Sequence, residues 1–304
     1  MSNILLLGAS GFIGNSILRN GVENKSIKSI VAIQHKTKVK HYESDKVRII
    51  NGSIDHIELH TSGCDYLIHA ARQSSQKNKI GRILLSLNGK NKNQNLLREF
   101  GLLQNIKRLS YVSGSLMYGN QGHSLITESN SINPVSFAKD YIYAEQPFIR
   151  QSKSDQRIQL IRVPWVFGNG SWFKKFYLDF MYKNNKVPLY GDGKNLMTFI
   201  EIDDVSKGIL YANQKTEASV LNLFMPDYIT QENFVNLISN FTGLGIHKYS
   251  DAQLKNSFEN AVYQAFNTNI KLGSELDLQE QIIANMQFKT VSEMLSNKLP
   301  IYFL

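Results

Sequence analysis

The sequence begins "MSNILLLGASGFIG", a short apolar run that gives way to three glycines at a fixed spacing. A brief, unbroken apolar run is what a strand buried on both faces requires, because alternate side chains all enter the core. Gly8 permits a tight turn after that strand, Gly11 lets the backbone approach a pyrophosphate, and Gly14 lets the following helix pack closely. A helix that starts here points unpaired N–H groups and the positive end of its dipole at bound phosphate. Ser10, Phe12 and Ile13 lie in the same turn. The chain is therefore constrained to start as strand, turn and helix, and the turn predicts dinucleotide binding or descent from it.

Further strands are predicted at "SIVAIQ", "KVRIING", "CDYLIHAA", "IKRLSYVSG" and "IQLIRVPWVFG", with helix-length segments such as "NSILRNGV" and "NQNLLREFGLL" between them. Alternating β and α at these lengths predicts an α/β fold, a Rossmann-like doubly wound parallel sheet. After about Gly168 the pattern mixes short strands, loops and helices, among them "TQENFVNLISNFTGL" with Thr230 as N-cap. The expected organisation is a dinucleotide-binding domain over residues 1–168, with 198–222 returning to it, and a smaller C-terminal α/β substrate lobe over 169–304.

Composition narrows the function classes. Cys64 is the only cysteine in 304 residues, so no internal disulfide forms, which fits a reducing, cytoplasmic setting. The apolar run near the N-terminus has no basic residue before it and leads into glycines, unlike a secretory signal. No run reaches the ~18 apolar residues of a membrane span. A formal net charge of +9 favours anionic ligands. From Arg72 to Arg98 the basic residues Arg72, Lys77, Lys79, Arg82, Lys90, Lys92 and Arg98 occur with no acid. That stretch lacks the interleaved aromatics of a single-strand-binding surface, so it is read as a solvated face and not as a nucleic-acid site. His69 and His123 stand without companion ligands, and no metal site is expected.

These stretches together resemble the extended short-chain dehydrogenases/reductases, the class of the nucleotide-sugar epimerases, dehydratases and reductases, over nearly the whole chain. "GASGFIG" resembles the family's glycine motif, "DYLIHAA" the strand that passes the cofactor, and "YVSGSLMYG" the strand that delivers a catalytic Ser or Thr. "AEQPF" is similar to the continuation of the active-site helix, "IRVPWVFGNG" to the segment beside the nicotinamide, and "VPLYGDGKNLMTFIEIDDV" to the loop and strand closing the substrate pocket. The resemblance implies a nicotinamide cofactor, a nucleotide-sugar or other small substrate, and a homodimer through the helices containing Leu96–Leu97 and Phe137–Ala144. It places Gly8, Ser10, Gly11, Phe12, Ile13, Gly14, Gln34, Lys36, Ser53, Ile54, Ala70, Ala71 and Arg72 at the cofactor.

The resemblance also implies a Tyr-x-x-x-Lys pair one helical turn apart in "SFAKDYIYAEQ", with a Ser or Thr four residues before Tyr118. These positions hold Phe137, Tyr141 and Gly114. Phenylalanine has no proton to give, and tyrosine supplies no fixed positive charge. Loss of general acid–base help costs about 10²–10⁴ in rate. Tyr141 and Tyr118 are the phenols that remain as substitutes. Trp165 and Met197 stand where an asparagine and an arginine are frequent, so Gly114, Phe137, Trp165 and Met197 are expected to line the substrate pocket.

Ser53 takes the place of an adenine-binding aspartate. Gln34, His35 and Lys36 replace the acid that an NAD-preferring site uses on its ribose, so NADP is favoured over NAD. Two readings stay open: a dinucleotide-binding member without the family's standard redox chemistry, or an active nucleotide-sugar epimerase, dehydratase or reductase with substituted catalytic groups.

Overall fold

The computed structural model describes residues 1–39, 44–54, 56–57, 63–72, 78–215 and 217–303. Lys77 of the basic stretch lies outside the described residues. In chain order the elements are β1 (Ser2–Leu7), α1 (Phe12–Glu23), β2 (Ile27–Gln34), β3 (Val47–Asn51), β4 (Tyr66–His69), α2 (Lys79–Leu102), β5 (Arg108–Gly114), α3 (Phe137–Gln151), β6 (Ile158–Val163), β7 (Trp165–Phe167) and α4 (Asp179–Asn184). There follow β8 (Lys186–Tyr190), β9 (Leu196–Glu201), α5 (Ile202–Lys215), β10 (Val220–Asn222), β11 (Tyr228–Thr230), α6 (Gln231–Thr242), β12 (Gly245–Tyr249), α7 (Asp251–Ser257), α8 (Asn260–Phe266), α9 (Leu278–Ala284) and α10 (Val291–Phe303). Among the described residues no helix is long and apolar enough to cross a membrane.

The chain divides into two compact units. The first comprises Met1–Ser113, Asp140–Arg162 and Val205–Leu221. It is built on a seven-stranded sheet of order β10-β6-β5-β4-β1-β2-β3, and the pairs β1–β2, β2–β3, β1–β4 and β4–β5 are parallel. The chain passes from β3 back across β1 to β4, and this reversal of winding is the switch point at which open α/β sheets bind ligands. Leu5, Leu7, Leu67, Leu109, Ile158 and Leu160 from neighbouring strands form its core with Leu96, Phe100 and Phe148 from α2 and α3. The α/β, Rossmann-like architecture expected from the alternating pattern is present.

The second unit comprises Gly114–Lys139, Val163–Asp204 and Asn222–Leu304. It holds a three-stranded sheet, β11-β9-β7, and a parallel pair, β12–β8. The run "IQLIRVPWVFG" makes two strands instead of one. Pro164 has no N–H to give a ladder, so β6 ends at Val163 in the large sheet and β7 begins at Trp165 in another. Thr230 caps α6 as expected, its hydroxyl accepting from the Asn233 N–H at 3.2 Å, and Gly243 closes the helix in the left-handed region. Ser136, just before α3, also has a positive φ of 56°. Its N–H donates to Gln264 at 3.0 Å and its hydroxyl to the Ala261 carbonyl, and these bonds offset the cost of that conformation.

Helix α2 is the element least like its sequence. It runs for 24 residues from Asn78, whose side chain accepts from the Gly81 N–H at 2.7 Å. Its buried stripe is Arg82, Ser86, Gly89, Asn93, Leu96 and Phe100, so the first half turns polar or small residues inward. Ile80, Leu84 and Leu87 are exposed on the other side. The inward stripe fastens α2 to α3. Arg82 pairs with Asp140 at 2.7 Å, and the Ser86 hydroxyl accepts from the Ala144 N–H. Gly89 leaves room for Ala144, whose Cβ would lie 3.1 Å from an added methyl group.

The same stripe reaches the sheet. The Asn93 amide donates to the Ala144 carbonyl at 2.7 Å, and its oxygen meets His69 Nε2 at 3.1 Å. His69 Nδ1 accepts from the Ala71 N–H, which makes Nε2 the protonated nitrogen of a neutral ring. Full burial pushes the imidazole down to about 4, only partly opposed by the Asn93 hydrogen bond. Below its ordinary value near 6.5 the unfolded chain binds a proton that the folded chain refuses until about pH 4. Stability from this group is therefore complete above pH 6.5 and is lost as pH falls towards 4, by about 3 kcal/mol in all. The urea midpoint of the native protein should drop across that window, and His69→Gln should flatten that part of the curve.

Candidate functional site

The glycine turn sits at the C-terminal end of β1. Gly8 has φ of +89°, and a Cβ there would come within 2.5 Å of the Ala71 nitrogen. Both the backbone conformation and the close passage of Ala70–Ala71 demand glycine. A Cβ on Gly14 would lie 2.0 Å from the Gly8 carbonyl oxygen, so helix and turn meet only because it is absent. Gly11 is the N-cap of α1 with extended backbone, no side chain caps that end, and the first turn holds no acid. An uncapped helix N-terminus of this kind, at the switch point of a parallel sheet, suits the pyrophosphate of a dinucleotide. Ser10 is exposed at the turn, and Phe12 and Ile13 are half-buried.

The other expected cofactor positions are more mixed. The Gln34 amide is engaged at both ends, donating to Asn51 at 3.0 Å and accepting from the Val39 N–H at 2.8 Å. It ties β2 to β3 and to the loop that follows. Lys36 is exposed. Ser53 accepts from the Lys92 ammonium at 3.4 Å, and Ile54 packs on the core of the first unit. Arg72 is exposed, and its guanidinium carbon lies 4.7 Å from the centroid of the Tyr141 ring. The spacing of the sequence gave Tyr141 no cationic neighbour. The structure supplies one from a residue distant in sequence, and it belongs to the first unit, as Tyr141 does.

Gly114 ends β5 with ordinary extended backbone, and the nearest atom to an added Cβ is the Val163 carbonyl oxygen at 3.9 Å. Nothing in the backbone or packing excludes a serine there. Ser113 precedes Gly114 within β5, whereas Ser115 already belongs to a tight helical turn over Ser115–Met117. The Ser113 hydroxyl donates to Glu145 and accepts from Arg162 at 2.8 Å, while Arg162 also pairs with Glu145. Arg162 and Glu145 are 2% and 1% exposed, so this cluster is a buried structural joint of the first unit.

Tyr118 is not an available acid. It is buried, and its hydroxyl donates to the Asn222 side chain at 2.8 Å. Met197 is likewise a core residue, 1% exposed, paired across strands with Ile229 and packed in the second unit's interior. Phe137 and Trp165 are half-buried, and both meet a residue that the sequence reading did not single out. Trp172 lies edge-on to Phe137 at 5.3 Å and to Trp165 at 5.4 Å. Behind them Trp165 stacks on Phe266, and Trp172 meets Phe176. Phe137 is thus one ring of an aromatic ledge, with no hydroxyl to offer. Only the apolar, aromatic character of "WVFGNGSW" signals this ledge beforehand.

Comparison with known proteins fits this geometry. The model of the NAD dependent epimerase/dehydratase family matches residues 4–223. A provisionally named UDP-glucose 4-epimerase of Methanocaldococcus jannaschii is 24% identical over 233 residues, covering 70% of this chain and 74% of that protein. Among solved structures, the dTDP-glucose 4,6-dehydratase DesIV of Streptomyces venezuelae, with NAD bound, superposes with a TM-score of 0.76 at 17% identity, over 99% of this chain and 97% of that one. UDP-glucuronic acid 4-epimerase from Bacillus cereus, in complex with NAD, gives 0.75 at 16% identity, over 99% and 98%. With a family model spanning the glycine turn, the large sheet and all of α3, the chain belongs to the NAD dependent epimerase/dehydratase family.

Proposed function

We propose that this protein binds a nicotinamide dinucleotide at the Gly8–Gly14 turn and does not run the family's ordinary proton relay. Phe137 carries this reading: at the tyrosine position it packs edge-on against Trp172 and has no exchangeable proton. Hydride transfer is the chemistry a bound nicotinamide supplies, and it needs a partner for the alcohol proton. Gly114 has no hydroxyl to hold the reacting oxygen, although the space for one exists. A second reading rests on Arg72. Its guanidinium over Tyr141 places a cation beside a phenol, and an active epimerase or dehydratase acting on a nucleotide sugar would then use Tyr141 as its acid.

The two readings part on turnover. The first expects no conversion of UDP- or dTDP-hexoses by the native protein loaded with either cofactor. Conversion near the ordinary ~1–10³ per second, abolished by Tyr141→Phe, establishes the second.

NADP(H) is expected to bind more tightly than NAD(H). Lys36 is exposed beside the end of β2, and Gln34 brings no carboxylate to repel a 2′-phosphate. Calorimetric titration with both reduced cofactors measures the difference, and Lys36→Glu should narrow it. Equal affinities, or a preference for NAD(H), sink this point.

The substrate-free assembly is proposed to be a homodimer through α2 and α3. Ile80, Leu84 and Leu87 are 72%, 61% and 39% exposed and recur at helical spacing. Three large apolar side chains turned to solvent on one face suit a subunit contact. Sedimentation at micromolar concentration should give a dimer, and Leu84→Glu a monomer with an unchanged circular dichroism spectrum.

A further inference from the structure

The position that carries a lysine in the resembling family holds Tyr141, and the cation has come from elsewhere. Arg72 follows directly on Ala71, the residue pressed against Gly8 in the phosphate turn. Its guanidinium then lies across the Tyr141 ring, 4.7 Å from the centroid and well inside cation–π range. Among the described residues no carboxylate pairs with Arg72, and the side chain is exposed. A cation–π contact occupies none of the guanidinium's N–H donors, which remain a planar fork that matches phosphate oxygens. The tyrosine ring also limits how far the long side chain can wander, so less freedom is lost when an anion arrives.

We infer that Arg72 is an anion-gripping residue for the pyrophosphate of the ligand held at the Gly8–Gly14 turn, and that Tyr141 is its positioning residue. The inference rests on the dinucleotide-binding reading above. It gives Tyr141 a task for its ring face and none for its hydroxyl. The ligand class is any nucleoside diphosphate derivative that fits the turn, with or without a nicotinamide.

ADP-ribose separates this from redox chemistry, because it has the pyrophosphate and no nicotinamide. Calorimetry on the full chain with NADPH, NADH and ADP-ribose is the experiment. Arg72→Ala should weaken all of them by about tenfold or more, as loss of a hydrogen bond to a charged group does. It should also flatten the dependence of affinity on salt. Tyr141→Phe keeps the ring and should stay within about twofold of the native protein, while Tyr141→Leu should approach the Arg72→Ala loss. Arg72 is exposed, so its variant tests the idea even where Tyr141→Leu folds poorly. Native binding with ADP-ribose affinity unmoved by Arg72→Ala overturns the inference alone. Equal damage from Tyr141→Phe and Tyr141→Leu also overturns it, by moving the role to the hydroxyl. A native protein that binds none of the three ligands overturns this inference and the dinucleotide reading together.

Discussion

The buried pair of Arg162 and Glu145, with the Ser113 hydroxyl between them, is the joint on which the first unit depends. It takes one residue each from β5, β6 and α3 and so fixes how α3 lies, and how it is rotated, against the sheet. Two charges this deep are costly to desolvate and are tolerated because each faces the other, with the Ser113 hydroxyl bonded to both. Removing one partner of such a pair typically costs about 3–5 kcal/mol, because the other is left charged and dry. A second buried pair, Arg82 with Asp140, holds the start of the same helix to α2. With both joints in place, α3 presents its side chains in a set order whether or not those side chains can do chemistry.

Legibility in the sequence follows from how local each cause is. The glycine turn was readable because φ at Gly8 and the approach at Gly14 are demanded by a few neighbouring atoms. The buried parallel strands were readable because their apolar runs are continuous. Pro164 was equally local, yet the run "IQLIRVPWVFG" hid it, since its apolar character persists through the break between two sheets. Helix α2 shows the opposite failure. A periodicity argument assumes that apolar residues face inward, and in the first half of α2 the inward face is Arg82, Ser86, Gly89 and Asn93. Each is there for a partner that lies elsewhere in the chain, on β4 or α3, so no window of sequence reveals it.

The candidate site divides in the same way. Backbone roles, at Gly8, Gly11 and Gly14, follow from residue type, whereas side-chain roles depend on distant partners. Gln34 stands at the ribose position by the resemblance, but both ends of its amide are engaged by Asn51 and Val39. Tyr118 has the residue type of a spare phenol, but its hydroxyl donates a hydrogen bond to the Asn222 side chain in the core. Arg72 and Tyr141 lie far apart in the sequence and meet only in the fold. Gly114 is different again: the sequence shows the missing hydroxyl, and the structure adds that no steric demand keeps it missing. What changed at that position is the chemistry the strand end can offer, with no corresponding change in what the strand needs to fold.

The aromatic ledge has a spectroscopic consequence. Trp165 and Trp172 are the only two tryptophans in the chain, and both lie in the second unit, edge-on to one another. Tryptophan emission from this protein therefore originates entirely in that unit, from two coupled indoles beside Phe137. The first unit, with the glycine turn, contributes none. The spectrum is thus a local label that nature has already attached to one half of the molecule.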